Sequence, residues 1–284
     1  MKSELSTCTA SAPLAPPPHT LERRCWDLVT TTRLEEKLAP RADAGAHWEE
    51  SPPARRLREP GRPPELERSV RAPRTPGASA LADPRTRARL VHTFLHHELQ
   101  AAELFAWAIL AFPQAPREFR AGLLRLCQEE LGHLALYRVH LGALGFSVGG
   151  FPVRDWFWER VARVEDELAF VALLGLGLEG ANLEHNARFA AQFRAAGDEA
   201  GARVLERVGR DEIEHVAFAR RWFEHWTGAP LEYERWRAAL PAPLTPAVLR
   251  GTPLNRAARK RAGLDDAFLA RLEAEPVATT RSPR

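Results

Sequence analysis

The sequence predicts an all-α protein: a four-helix bundle with a long crossover, preceded by an irregular N-terminal extension and followed by a short-helical C-terminal one. Three observations carry this expectation. Four long stretches repeat apolar side chains at the spacing of an amphipathic helix, whereas no run shows the period-two alternation of a strand. Twelve of the 23 prolines fall within residues 1–80, where they break up regular structure. The expected boundaries are 1–80 for the proline-rich extension, 81–228 for the bundle and 229–284 for the C-terminal extension.

The helices follow from local signals. Asp83 is placed to cap a helix that Pro84 opens, running to about Ala111 along the apolar line Val91, Phe94, Leu95, Ala101, Ala102 and Phe105. A second helix is expected from about Pro116 to Leu141, with Leu123, Leu126, Cys127, Leu134, Tyr137 and Leu141 as its stripe and Gly142 and Gly145 as its stop. A short helix from Asp155 to about Val164 carries Trp156, Phe157 and Trp158. The third long helix spans about Asp166 to Ala196, stopped at Gly197. Asp198 then caps a fourth, which runs to about Trp226 with Leu205, Val208, Val216, Ala219 and Phe223 on its buried face. Pro241, Pro243, Pro246 and Pro253 break the chain beyond it, before a last amphipathic helix from Asp265 to about Glu275.

Composition narrows the function classes. The net charge is +3, but residues 81–240 hold 19 Lys+Arg against 22 Asp+Glu, so the basic excess sits at the two ends. The cluster Arg256, Arg259, Lys260 and Arg261 is expected to be a solvated surface, too small a footprint for nucleic acid. Cys8, Cys25 and Cys127 are widely separated and form no CxxC pair, which argues against a disulfide framework or a zinc ribbon. The longest apolar stretch, Phe170 to Leu178, is too short to cross a bilayer. The proline-broken N-terminus has no apolar core of a signal peptide, so a cytoplasmic location is expected.

Chemistry enters with two Glu-x-x-His units, Glu130-Leu-Gly-His133 and Glu212-Ile-Glu-His215. Three residues apart on a helix, a carboxylate and an imidazole share one face and can reach one ion. The spacing is weak evidence taken singly, since about one such pair arises by chance among 28 glutamates and 10 histidines. Placement strengthens it, because each unit interrupts the buried stripe of its own helix. Ionised carboxylates in a dry interior cost several kcal/mol unless a cation compensates. The other two long helices each add a carboxylate: Glu98 in the apolar line of the first, and Glu179 between Leu176 and Leu183 in the third. Glu103 and Glu184 each follow by five residues and are alternative ligands. Five residues turn about 140° on a helix, so one of each pair is expected inside, and the cleaner apolar line favours Glu98 and Glu179. His96, His97, Tyr137, Cys127 and the tryptophans of Trp156 to Trp158 are read as packing.

This inventory of carboxylates and Glu-x-x-His units on alternate helices resembles the ferritin-like superfamily of di-iron carboxylate proteins. More narrowly, the chain is similar to an uncharacterised bacterial ferritin-like family over about Leu21 to Leu272. That likeness rests on His97-Glu-Leu-Gln-Ala-Ala-Glu-Leu104, Glu129-Glu-Leu-Gly-His133, Asp155-Trp-Phe-Trp158, Glu179-Gly-Ala-Asn-Leu-Glu184 and Asp211-Glu-Ile-Glu-His215. The resemblance implies a pair of iron ions, or manganese in their place, held by Glu98, Glu130, His133, Glu179, Glu212 and His215. It also implies that Asp211 and Glu129, each just before a ligand glutamate, support a ligand histidine, Asp211 being expected at His133 Nδ1.

The expected function is an oxidoreductase in which a di-iron centre activates O₂ to hydroxylate or oxidise a small organic substrate, with an external electron donor. A peroxidase or ferroxidase of the rubrerythrin or ferritin type and a non-catalytic binding protein are the alternatives. The terminal extensions favour the first, since they can wall a substrate pocket, with Trp26, Trp48 and Leu254 to Arg261 as contributors. A homo-oligomer is compatible with this expectation.

Overall fold

The computed structural model describes residues 13–39, 45–70 and 75–276. Cys8 lies outside them. The described chain is all-α: its only bridges of β type are two isolated ones, Thr20 with His47 and Arg68 with Val153.

The N-terminal extension contains two short helices. A ten-residue helix, α1 (Leu21–Thr30), is followed by one turn, α2 (Leu34–Leu38). Thr20 caps α1 by accepting from the Arg23 amide at 3.1 Å. Proline density pointed to coil here, but all the prolines lie outside the ten residues of α1, which bury Cys25, Leu28 and Val29.

The long helices begin where their caps predict. Asp83 accepts from the amides of Arg85 and Thr86 and opens α3 (Pro84–Ala111). Next comes α4 (Arg117–Ala143), which passes through Gly142 and stops before Gly145, where φ is +84°. The expected helix at Asp155–Val164 shrinks to one turn, α5 (Trp158–Val161).

The third long helix is composite. It starts as α6 (Glu167–Phe170), capped by Asp166, widens to π geometry over Val171–Glu179, and resumes as α7 (Gly180–Ala195). A nine-residue π stretch is uncommon, and such stretches gather at functional sites. The helix here presses close to its neighbour: a Cβ on Gly175 would stand 2.3 Å from that of Ala219. The fourth, α8 (Glu199–Thr227), starts at the Asp198 cap and ends at Gly228 in the left-handed region, φ +63°.

These four helices share one core. α3 packs along α4, the composite helix along α8, and α4 against α8. Leu104, Leu123, Leu174 and Val216, one from each, are all buried within a single apolar cluster. The C-terminal extension forms α9 (Tyr233–Ala239), α10 (Arg256–Arg261) and α11 (Asp266–Ala274), and its Trp236 indole donates to the Ala172 carbonyl at 2.9 Å. The basic cluster on α10 is largely consumed inside this extension. Arg256 and Lys260 both pair with Asp266, Arg256 also with Glu273, and Arg259 is buried. Among the described residues no helix is long and apolar enough to cross a membrane.

Candidate metal centre

Halfway along the shared core the apolar packing gives way to acid and imidazole. Glu98 comes from α3, Glu130 and His133 from α4, Glu179 from the end of the π stretch, and Glu212 and His215 from α8. All six are at most 5% exposed. Their donor atoms fall into two overlapping groups, each with all atoms within 4.8 Å of one another: Glu98, Glu130, His133 and Glu212, then Glu130, Glu179, Glu212 and His215. Glu130 and Glu212 belong to both.

The two histidines are mounted in the same way. His133 Nδ1 faces Glu130 at 3.2 Å and Glu98 at 3.7 Å. His215 Nδ1 faces Glu130 at 2.8 Å and Glu212 at 3.1 Å. On the far side of each ring stands the acid that precedes the other helix's glutamate. Glu129 of α4 is 2.9 Å from His215 Nε2, and Asp211 of α8 is 3.4 Å from His133 Nε2. Asp211 therefore meets His133 at Nε2 and not at Nδ1 as the sequence led us to expect, because Nδ1 is turned into the carboxylate cluster. Its contact is also looser, since Arg207 draws the carboxylate outward at 2.8 Å. In the neutral ring, Glu129 at His215 Nε2 would hold the proton there and leave the Nδ1 lone pair pointing inward, whereas His133 Nε2 makes no hydrogen bond at the longer Asp211 distance.

Several buried polar atoms of the cluster lack a hydrogen-bond partner. Glu130 Oε1, Glu179 Oε1, Glu212 Oε2 and His215 Nδ1 are buried without a hydrogen-bond partner. Burial, and then the charges of neighbouring glutamates, push Glu98 and Glu179 well above the ordinary carboxylate value. Burial would also raise Glu130, but His215 and His133 outweigh it and hold this carboxyl low. Against its own burial, His133 is pushed up to about 11 by Glu130 and Glu98, and His215 is likewise raised.

These directions give a pH signature for protein stripped of metal. Groups whose value is raised on folding stabilise the fold below their unfolded value and lose that contribution as pH climbs through the folded one. Glu98, Glu179, His133 and His215 all act in that direction. The melting temperature of chelator-treated protein should therefore fall by more than about 5 °C between pH 5 and 9, given ~2–4 °C per kcal/mol for a domain of this size. A flat or rising profile over that range contradicts it.

Glu103 and Glu184 stand outside both donor groups. Only one of each pair was expected to face the ions, and all four glutamates are buried. Five residues on, the side chains turn away from the cluster and meet cations delivered by the extensions. Glu103 accepts from Lys37 Nζ at 2.6 Å and from Arg62 at 2.6 and 2.7 Å. Glu184 takes Arg259 through two bonds of 2.8 Å, together with the amides of Gly251 and Asn255. Arg62 continues to Asp155, which also holds His96 Nε2 at 3.0 Å. With their charges already paired, Glu103 and Glu184 are not available to a shared ion. Asn182 escaped notice in the sequence, although its spacing of three from Glu179 put it on the same face. Its amide donates to Glu179 Oε2 at 3.0 Å and lies 3.5 Å from Glu212 Oε1.

Trp26 and Trp48 pack on the core as partly buried side chains, Trp48 beneath the Arg120 guanidinium at 4.6 Å. The Arg256–Arg261 helix comes within one residue of the cluster, where Arg259 donates to the Gly180 carbonyl at 2.8 Å. A cavity of about 400 Å³ between α1 and α4 is lined by Cys25 and by Cys127 and Gln128, the last two one turn or less from Glu130, but none of the six cluster residues opens onto it.

Residues 23–270 match the family described as "Protein of unknown function (DUF455)". The chain belongs to that family. An "Uncharacterized protein" of Haemophilus influenzae (strain ATCC 51907 / DSM 11121 / KW20 / Rd) is 30% identical over 144 residues, 48% of this chain and 50% of the relative, so the chain spans about half of that relative's length. No solved structure matches. The stretch matched to the DUF455 family holds both Glu-x-x-His units, Glu98, Glu179 and the three buried cations Lys37, Arg62 and Arg259.

Proposed function

We propose that the six-residue cluster binds two divalent metal ions, iron first and manganese as the alternative, within a ferritin-like four-helix bundle. The supporting observation is the set of buried, unpartnered acceptors on Glu130, Glu179, Glu212 and His215. Two divalent ions neutralise four carboxylates, and a mixed set of carboxylate oxygens and imidazole nitrogens suits iron or manganese better than zinc or copper. Glu98 and His133 would hold one ion, Glu179 and His215 the other, and Glu130 and Glu212 would span both.

On that basis the protein is a di-iron oxidoreductase that uses O₂ to oxidise a small organic substrate, with electrons from an external donor. Bound ferrous ions supply the reducing equivalents for O₂. The chain's own residues do the rest. Glu129 and Asp211 orient the histidines through Nε2, Asn182 steadies Glu179, and the apolar packing of α3, α4 and α8 excludes water from the carboxylates.

Elemental analysis after anaerobic reconstitution with ferrous iron should return about two ions per chain, as this ligand set requires. The reduced protein should then consume O₂. Recovery of no metal sinks the proposal, and growth of a mineral core on added ferrous iron replaces the oxidase with an iron store. The outer acids act by positioning. Glu129→Ala should weaken iron retention about 10–100-fold, and Asp211→Ala less, because its contact is longer. Equal retention by both variants and the parent protein would show that the histidines need no such support.

A further inference from the structure

The four-helix core has one loose seam. α3 packs closely on α4 and the composite helix on α8, but α3 and the composite helix hardly approach each other. Side chains bridge the distance, as where the Phe94 and Phe189 rings meet with centroids 5.1 Å apart. Within a turn of Glu179 the α7 side carries Asn182, which is only partly buried. From the α3 side comes Glu98, at 5% the most exposed of the six cluster residues.

Among the described residues, Asn182 is the one side chain outside the six that donates to a cluster carboxylate. Its amide reaches Glu179 Oε2 at 3.0 Å and Glu212 Oε1 at 3.5 Å. The other oxygens of the same two groups, Glu179 Oε1 and Glu212 Oε2, are buried without a hydrogen bond. One amide therefore holds one oxygen of each carboxylate and leaves the second to an ion. Glu179 and Glu212 are both fully buried, so Asn182 links solvent to them in a single step.

The α4–α8 face offers no such step. Glu129 and Asp211 are partly exposed there, but they meet Nε2 of His215 and His133. An imidazole ring stands between them and the carboxylates, so an ion arriving on that face meets a ring first.

We propose that Asn182 is the gate through which divalent cations reach the cluster: its side chain swings out of the seam to admit an ion and closes behind it. This rests on the two-ion reading above. Opening breaks the amide's hydrogen bonds to charged oxygens, which slows passage by about a factor of ten or more. A gate lowers or raises the barrier for both directions of passage, whereas a residue that only steadies Glu179 acts on release alone.

The test is kinetic. Ferrous iron is added anaerobically to metal-free full-length protein, and uptake is timed by quenching with a coloured ferrous chelator. Release is timed from loaded protein in a saturating excess of the same chelator. Asn182→Ala should speed uptake and release by about tenfold each, so that affinity changes less than either rate. Asn182→Phe, a larger side chain at a partly exposed position, should slow both while the stoichiometry stays at the parent's value. Gly132→Leu is the control for the opposite face, since Gly132 is exposed beside His133 and a Cβ there meets nothing within 4 Å. It should leave both rates unchanged. If Asn182→Phe does not fold, Asn182→Ala decides alone. Uptake unchanged in Asn182→Ala, or slowed by Gly132→Leu, overturns the gate while two bound ions leave the metal centre standing. A parent protein that takes up no iron overturns both.

Discussion

Glu212→Ala should lose both ions, whereas Glu98→Ala and Glu179→Ala should each keep one. The contrast follows from the two overlapping donor groups. Glu130 and Glu212 stand in both, Glu98 and His133 only in the first, and Glu179 and His215 only in the second. In reconstituted protein, metal content should drop from about two per chain to nearly none in Glu212→Ala and Glu130→Ala, and to about one in the outer variants. Glu98→Ala and Glu179→Ala should also be more stable than the parent when metal is withheld, because each removes a carboxylate that burial and neighbouring glutamates disfavour. A uniform loss across all six positions would mean that the cluster holds a single ion. Retention of two ions in Glu212→Ala would remove Glu212 from the centre.

Glu103→Ala should be the most damaging single change outside the cluster. The carboxylate sits between Lys37, which is fully buried, and Arg62, which is 6% exposed. Arg62 and Lys37 hold Glu103 below the ordinary carboxylate range against the effect of burial. Burial in turn pulls Lys37 below its ordinary value, with Glu103 opposing the effect and the Arg62 charge adding to it. Removing the anion strands Lys37 in the interior and leaves Arg62 with Asp155 alone. Breaking a buried pair in this way costs about 3–5 kcal/mol. Denaturant unfolding should show a loss of that size, and Lys37→Met combined with Glu103→Leu should recover part of it. A loss under about 1 kcal/mol would show that water reaches the cations.

How much of this was legible in the sequence depended on where the information lay. Caps and stripes are local, so Asp83, Asp166, Asp198 and Asp265 marked four helix starts correctly. The six cluster residues stood out because each broke an apolar line, a signal that needs no partner to be seen. Glu103 and Glu184 broke apolar lines too. What separated them from the cluster was the identity of their partners, Lys37, Arg62 and Arg259, which lie 41 to 75 residues away in segments read as irregular or peripheral. The π stretch was hidden for a different reason. Residues 171–178 are apolar on every side, so they have no face whose drift could reveal a wider turn. The side of His133 that meets Asp211 was misassigned because sequence spacing fixes which helices face each other but not how a ring is turned.

The same long-range pairs set an order in time. A ribosome releases Glu184 75 residues before it makes Arg259, roughly 4–15 s at ~5–20 residues per second. Glu103 differs, since both its cations precede it in the chain and are waiting when it emerges. During that interval the N-terminal half can close around its buried anion, while α7 still carries a carboxylate that must stay hydrated. Glu184 lies just over one helical turn beyond Glu179, so that side of the cluster cannot be sealed with its counter-charge until Arg259 has been made.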